Sequence, residues 1–292
     1  MDPVISFINY KGGVGKTTLA VETAAAIAAW GNVKVLICDL DPQANATFYL
    51  MDPQEEWAPW SQKRGTLRDV FEAALRDEQI PDLSRYVYTW RKDPSRKTTI
   101  DLLPSHIGLM PVDIQLATKY GATSINAVEI VSRALEQVRS TYELIICDCP
   151  PNLGLVTRNA LFASDSYVIV AMPEYLSTLG IETIISAIGS WSQSINATLS
   201  RYGGSFKGPE LRGIIFNRVR TLSGGTKSQE AIMADVRRKY GNLVFTSYVS
   251  QTDRIAVRAE VNIPIVLSVS SGDDAYRQQI RAVAEEFLKR VL

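Results

Sequence analysis

Short runs of valine, isoleucine and leucine recur along the chain, and between them apolar residues return at helical spacing. The runs at 3–9, 33–39, 100–103, 143–148, 166–172, 212–217 and 243–249 read as strands. Helical patterns occupy about 16–30, 65–77, 124–140, 155–163, 177–199, 226–240 and 274–291. Leu144-Ile145-Ile146 and Tyr167-Val168-Ile169-Val170 carry no polar face, as strands covered on both sides require. Alternation of such strands with helices predicts an α/β fold: a single doubly wound, mostly parallel sheet with helices on both faces. The stretches 51–64, 80–99 and 203–210 are the least regular, and none looks like a domain linker. Residues 1–292 therefore read as one domain with a surface excursion at about 51–100.

Polar chemistry gathers where the strands end. The first strand runs into Lys11-Gly12-Gly13-Val14-Gly15-Lys16-Thr17-Thr18 and then an alanine-rich helix, the setting of a phosphate-binding loop. Glycines let backbone N–H groups approach phosphate oxygens, and a helix N-terminus favours the anion. In such a loop Lys16 reaches the β- and γ-phosphates, and the Thr17 hydroxyl helps to hold Mg²⁺. The usual loop is G-x-x-x-x-G-K-[ST], but Tyr10 stands where the first glycine belongs and a second lysine, Lys11, follows it. The strand at 33–39 ends in Asp39, with Asp41 and Pro42 just beyond, and the strand at 143–148 ends in Asp148, with Pro150-Pro151 beyond. Carboxylates at strand C-termini fall where open α/β sheets bind ligands. Asp39 and Asp148 are candidate Mg²⁺ groups, and the Asp39/Asp41 pair can also orient an attacking water.

This loop, with its missing glycine and added lysine, resembles that of the ParA/MinD family of deviant Walker-A P-loop ATPases. The ParA/Soj-type partition ATPases offer the nearest text. Asp39-x-Asp41-Pro42-Gln43-x-Asn45-Ala46-Thr47, the stretch Pro150 to Leu161, and Pro173-Glu174-Tyr175 with Gly180 all have ParA-like counterparts. The likeness covers nearly the whole chain and is best at 4–47 and 142–181. It implies an ATPase with slow basal turnover that uses ATP and Mg²⁺. It also implies an ATP-bound homodimer in which Lys11 crosses to the partner's nucleotide. By resemblance, Lys11, Lys16 and Asp41 support catalysis, residues 11–18 bind phosphate and Asn217 contacts the base. The family further implies binding to nonspecific double-stranded DNA, a ParB-like or other cargo-adaptor protein that stimulates hydrolysis, and a cytoplasmic, nucleoid-associated location. Its DNA surface would fall on cations such as Arg220, Lys227, Arg254, Arg258 and Arg281. The segment 218–271 departs most, with Ser250-Gln251-Thr252 where the family places Pro-Arg-Asn.

Composition narrows these readings. Formal net charge is zero, so nucleic-acid binding must come from a local patch. No stretch nears the roughly 18 unbroken apolar residues of a membrane span. A MinD-like membrane-associated regulator of division or appendage placement is the alternative, and its test is the C-terminal helix. There Tyr276, Ile280, Val283, Phe287 and Val291 form one narrow stripe, which suits a packed closing helix better than a membrane tail. Cys38, Cys147 and Cys149 lie in or beside apolar runs without metal-ligand spacing, which argues against a cluster-carrying relative. No helix-turn-helix precedes the first strand, which argues against sequence-specific DNA recognition. His106, the one histidine, reads as structural.

Overall fold

In the computed structural model, residues 3–92, 98–220 and 227–291 are described. Eight strands form one sheet: β1 (Val4–Ile8), β2 (Val35–Asp39), β3 (Tyr88–Trp90), β4 (Ile100–Leu103), β5 (Leu144–Asp148), β6 (Ser166–Ala171), β7 (Glu210–Val219) and β8 (Val249–Ser250). Their order is β3-β4-β2-β5-β1-β6-β7-β8, and every pairing is parallel except β3 with β4. The register sets Asp39 of β2 beside Asp148 of β5, and Asp148 beside Phe7 of β1. Three strand ends therefore open at one place.

The central strands are buried on both sides because alternate residues feed two cores. Ile5, Phe7, Ile37 and Ile146 face one core, where α1 (Lys16–Trp30), α2 (Asn45–Leu50), α10 (Arg254–Glu260) and α11 (Asp274–Val291) pack. Val4, Ile8, Cys38 and Ile145 face the other core. It is covered by α4 (Leu67–Leu75), α5 (Val112–Tyr120), α6 (Ile130–Glu136), α7 (Leu155–Ala163), α8 (Tyr175–Ser200) and α9 (Lys227–Tyr240). The short α3 (Ala58–Lys63) lies between α2 and α4 in the chain and buries no residue fully. Helices on both faces of a mostly parallel sheet are the architecture that the patterning predicts.

Small alanines at 20, 24, 25 and 26 let α1 lie close to the sheet. Across it, Phe287 of α11 meets Phe7 with ring centroids 5.6 Å apart, both fully buried. Each such ring contributes about 1.5–3 kcal/mol by burial. The apolar stripe of α11 is thus a closing face: Ile280, Val283 and Phe287 are inaccessible to any lipid surface. No helix among the described residues is long and apolar enough to cross a membrane.

Several predicted boundaries shift. The helix predicted at 124–140 is only α6, flanked by short 3-10 turns at 125–127 and 139–141. The strand predicted at 243–249 shrinks to β8 and one bridge, Ile214 to Val244. Strand β3 is too short to show a period, and α5 buries only Val112 and Leu116. The segment 51–100 is also less peripheral than an excursion suggests: Leu67, Val70 and Phe71 of α4 are core residues.

Candidate nucleotide site

Between β1 and α1 the chain makes a tight turn fastened from below. The Asn9 side chain donates to the Val170 carbonyl and accepts the Lys11 N–H at 2.8 Å. Gly13 and Gly15 adopt φ of +78° and +81°, a region that disfavours side chains. A Cβ on Gly15 would also collide with the Asn217 amide, whose Nδ2 donates to the Val14 carbonyl at 2.9 Å. At Gly12 and Gly13 the space a Cβ would fill is open, so the loop backbone is uncrowded there. No side chain caps α1, and no acid sits in its first turn. The positive end of that helix is therefore free for an anion. Above it lies a cleft of about 800 Å³, bounded by residues 11–18, Asp41, Phe48, Tyr49, Asn217 and Ser250.

At the back of the cleft, Lys16 Nζ meets Asp148 Oδ1 at 2.8 Å, with both side chains buried. Burial works against the ammonium, but the Asp148 carboxylate outweighs it and holds Lys16 above its ordinary value. Asp148 Oδ2 is buried without a hydrogen-bond partner. An orphaned carboxylate oxygen beside a lysine is a group that a hydrated cation would satisfy. Asp39, the other predicted metal group, is engaged differently. Its Oδ2 accepts the Thr47 N–H and Oγ1–H, each at 2.7 Å, and its Oδ1 accepts the Asp41 N–H at 3.2 Å. Asp39 organises the loop that follows β2. Among the described residues no three His, Cys, Asp or Glu groups converge as a metal cage. Asp41 lies on the same loop, lines the cleft, and is raised from its ordinary value, chiefly by burial.

At the mouth, Lys11 Nζ pairs with Glu174 Oε2 at 2.7 Å, both half-exposed. The two lysines of the loop thus occupy opposite ends of the cleft. Arg218, at φ +56°, turns back to donate to the Gly13 carbonyl at 2.7 Å.

A family model described as an AAA domain matches residues 2–201. The chain belongs to this family, as one of its ParA/Soj-type ATPases. The sporulation initiation inhibitor protein Soj of Bacillus subtilis is 28% identical over 286 residues, covering 97% of this chain and 99% of its own. The chromosome partitioning protein ParA of Caulobacter vibrioides is 28% identical over 289 residues, covering 96% and 93%. Among solved structures, an ATP complex of a Cyanothece McdA variant has a TM-score of 0.71 at 20% identity, covering 98% of this chain and 96% of that one. A Borrelia burgdorferi plasmid partition protein bound to AMPPNP has a TM-score of 0.67 at 20% identity, covering both chains fully.

In this ParA/Soj-type chain the predicted DNA-facing cations are not all free. Arg254 Nη1 and Arg258 Nε both reach the buried Asp273, at 3.3 and 2.8 Å, as their shared face on α10 permits. Arg281 pairs with Glu285 at 2.8 Å and lies over the Trp30 ring. Arg220 donates to Gln251 at 3.1 Å. Lys227 opens α9, and its side chain lies outside the described residues. His106, expected to be structural, accepts the Gly108 N–H on its Nδ1 at 2.8 Å, and its ring stacks on Trp57.

One buried group escaped the sequence reading. Glu22, on α1, accepts Tyr49 Oη at 2.6 Å, Ile265 N–H at 2.7 Å and Val266 N–H at 3.1 Å, tying α1 to α2 and to the turn before α11. Its only signal was a lone acid in an alanine helix. Burial pushes Glu22 up to about 7; burial and the neighbouring Asp148 push Asp39 up to about 8, against its ordinary 3.8. Both groups hold protons in the fold that the unfolded chain releases, so stability of the nucleotide-free protein falls as pH rises from about 4 through 8. Thermal unfolding midpoints from pH 5 to 9 at fixed ionic strength should decline, and Asp39→Asn should flatten part of that slope. A midpoint that climbs across this window would overturn the assignment.

Proposed function

We propose that this chain is an ATP-dependent dimerising switch that binds nonspecific DNA and positions a cargo, a plasmid, chromosome or large protein assembly. Support comes first from the placement of the two lysines. Lys16 sits on Asp148 at the bottom of a glycine cradle, and Lys11 stands at the rim, paired with a half-exposed glutamate. An exposed pair of this kind contributes about 0.2–1 kcal/mol, so Lys11 is readily given up to a stronger anion. The triphosphate of ATP is such an anion, and a second copy facing the cleft would present one.

In this reading the loop amides and Lys16 cradle the phosphates. Thr17 and Asp148 would hold Mg²⁺ and its waters, and the ion would supply positive charge against the phosphates. Asp41 orients the attacking water, and Asn217 lies beside the base. The residues 41–47 and 148–154 order on the nucleotide, which makes ATP the signal and hydrolysis its reset. Turnover in the isolated chain is slow because the constellation is completed across the dimer, and a cargo-bound adaptor accelerates it. The whole chain acts as one ATPase domain in the cytoplasm on the nucleoid.

The DNA surface rests on Arg220, Lys227, Arg254, Arg258 and Arg281. Two arginines share the one carboxylate of Asp273, so the two guanidiniums exceed by one charge the acid they face. Binding through phosphate contacts is salt-dependent and blind to sequence. Purified protein should therefore bind random duplex DNA with ATP but not with ADP, with affinity falling steeply between 50 and 200 mM salt (roughly a hundredfold or more). Lys11→Ala should remove DNA binding and ATP-dependent dimerisation while leaving ATP binding to the monomer. DNA binding that ignores nucleotide, or is absent in every state, would sink the reading.

A further inference from the structure

Immediately after β4 the chain passes through Pro104 to Ser105, which is fully buried and uses all three of its polar groups. Its N–H donates to Thr47 Oγ1 at 2.8 Å. Its hydroxyl donates to the Asp41 carbonyl at 2.6 Å. Its carbonyl accepts the indole N–H of Trp57 at 3.1 Å. Thr47 passes the connection on, since its own hydroxyl donates to Asp39. One serine thus fastens both ends of the loop that carries Asp41, and is itself held from the segment beyond α2.

Trp57 is well placed to hold it. Its ring stacks on His106 at 5.4 Å and meets Phe48 edge-on at the same separation. Phe48 in turn lines the nucleotide cleft. A fully buried hydroxyl–carbonyl bond at 2.6 Å defines the position of the Asp41 main chain closely, and the Asp41 carboxylate with it.

We propose that Ser105 is a positioning residue for hydrolysis, setting the Asp41 loop, and that Trp57 clamps Ser105 so that the segment 53–57 bears on turnover. The inference rests on the role read above for Asp41. Ser105 lies behind the loop and does not itself line the cleft, so its removal should alter chemistry more than binding.

The test compares Ser105→Ala, Trp57→Phe and the double variant with the full chain, reading kcat, ATP affinity and amide hydrogen exchange. Ser105→Ala should lower kcat about tenfold to a hundredfold, the scale of a small misplacement of a reacting group. ATP affinity should stay within about twofold, and exchange should rise across 41–47. Trp57→Phe keeps an aromatic ring, though a smaller one, but loses the donor, and should show the same split more weakly. The double variant should be no worse than Ser105→Ala, because both act through one group. Equal loss of kcat and affinity, unchanged exchange, or additive effects would overturn the inference. Asp41→Ala separates the two levels. If it hydrolyses normally, the reading of Asp41 fails and takes the hydrolytic part of this inference with it. If it is inactive while Ser105→Ala turns over normally, only the positioning role fails.

Discussion

Lys16→Ala should abolish hydrolysis and weaken ATP binding by about tenfold to a hundredfold, the equivalent of one charge-assisted hydrogen bond. The physical reason is visible in the nucleotide-free site. Lys16 is the cation at the back of the cradle, and it is already matched to a buried carboxylate at 2.8 Å. Losing it removes the positive partner of the phosphates and leaves Asp148 uncompensated. Breaking a buried pair from one side costs about 3–5 kcal/mol, so the variant should also unfold at lower temperature. Stability and binding can be separated. In Lys16→Ala with Asp148→Asn the orphaned charge is gone, so the unfolding midpoint should recover while ATP binding stays weak. Calorimetric titration with ATP, beside thermal unfolding, reads both. Wild-type affinity in the single variant would mean that the loop is not the phosphate site.

The features legible in the sequence were those whose causes are local. A glycine-rich turn between a strand and a helix follows from backbone sterics, and a carboxylate closing an apolar strand follows from topology. Lys16 and Asp41 accordingly line one cleft, and Asp148 is buried against Lys16. Partner choice is a different kind of fact. Whether Asp39 turns to a cation or to Thr47 depends on how α2 folds back, and both oxygens are engaged by that loop. Arg254 and Arg258 share a helix face as their spacing requires, but what they face is Asp273, fifteen or more residues away. Lys11 finds Glu174 across 163 positions of sequence. The same limit explains the missed β3, whose three residues gain strand character only from pairing with β4. Glu22 is a further case: ordinary in the sequence, decisive only when three elements meet on it.

Asp41→Ala should lower kcat by about a hundredfold or more, the usual scale for loss of a positioned acid–base group, with ATP affinity nearly unchanged. Asp41 is buried to 5% exposure, and its Oδ1 accepts the Gln43 N–H at 3.0 Å, which fixes the carboxyl toward the cleft. Burial raises its proton affinity above the ordinary carboxylate value, a shift in the direction that makes a better base. Wild-type hydrolysis should then decline as pH falls through that raised value, and the alanine variant should lose this dependence. Substitution of the side chain leaves the main-chain carbonyl that Ser105 holds, so the loop keeps its place while the chemistry is removed. The variant should therefore still load ATP and, on the switch reading, stay on DNA after the wild type has let go. Retained turnover with an unaltered pH profile would assign the water to another group; rapid release from DNA despite blocked hydrolysis would uncouple the chemistry from the switch.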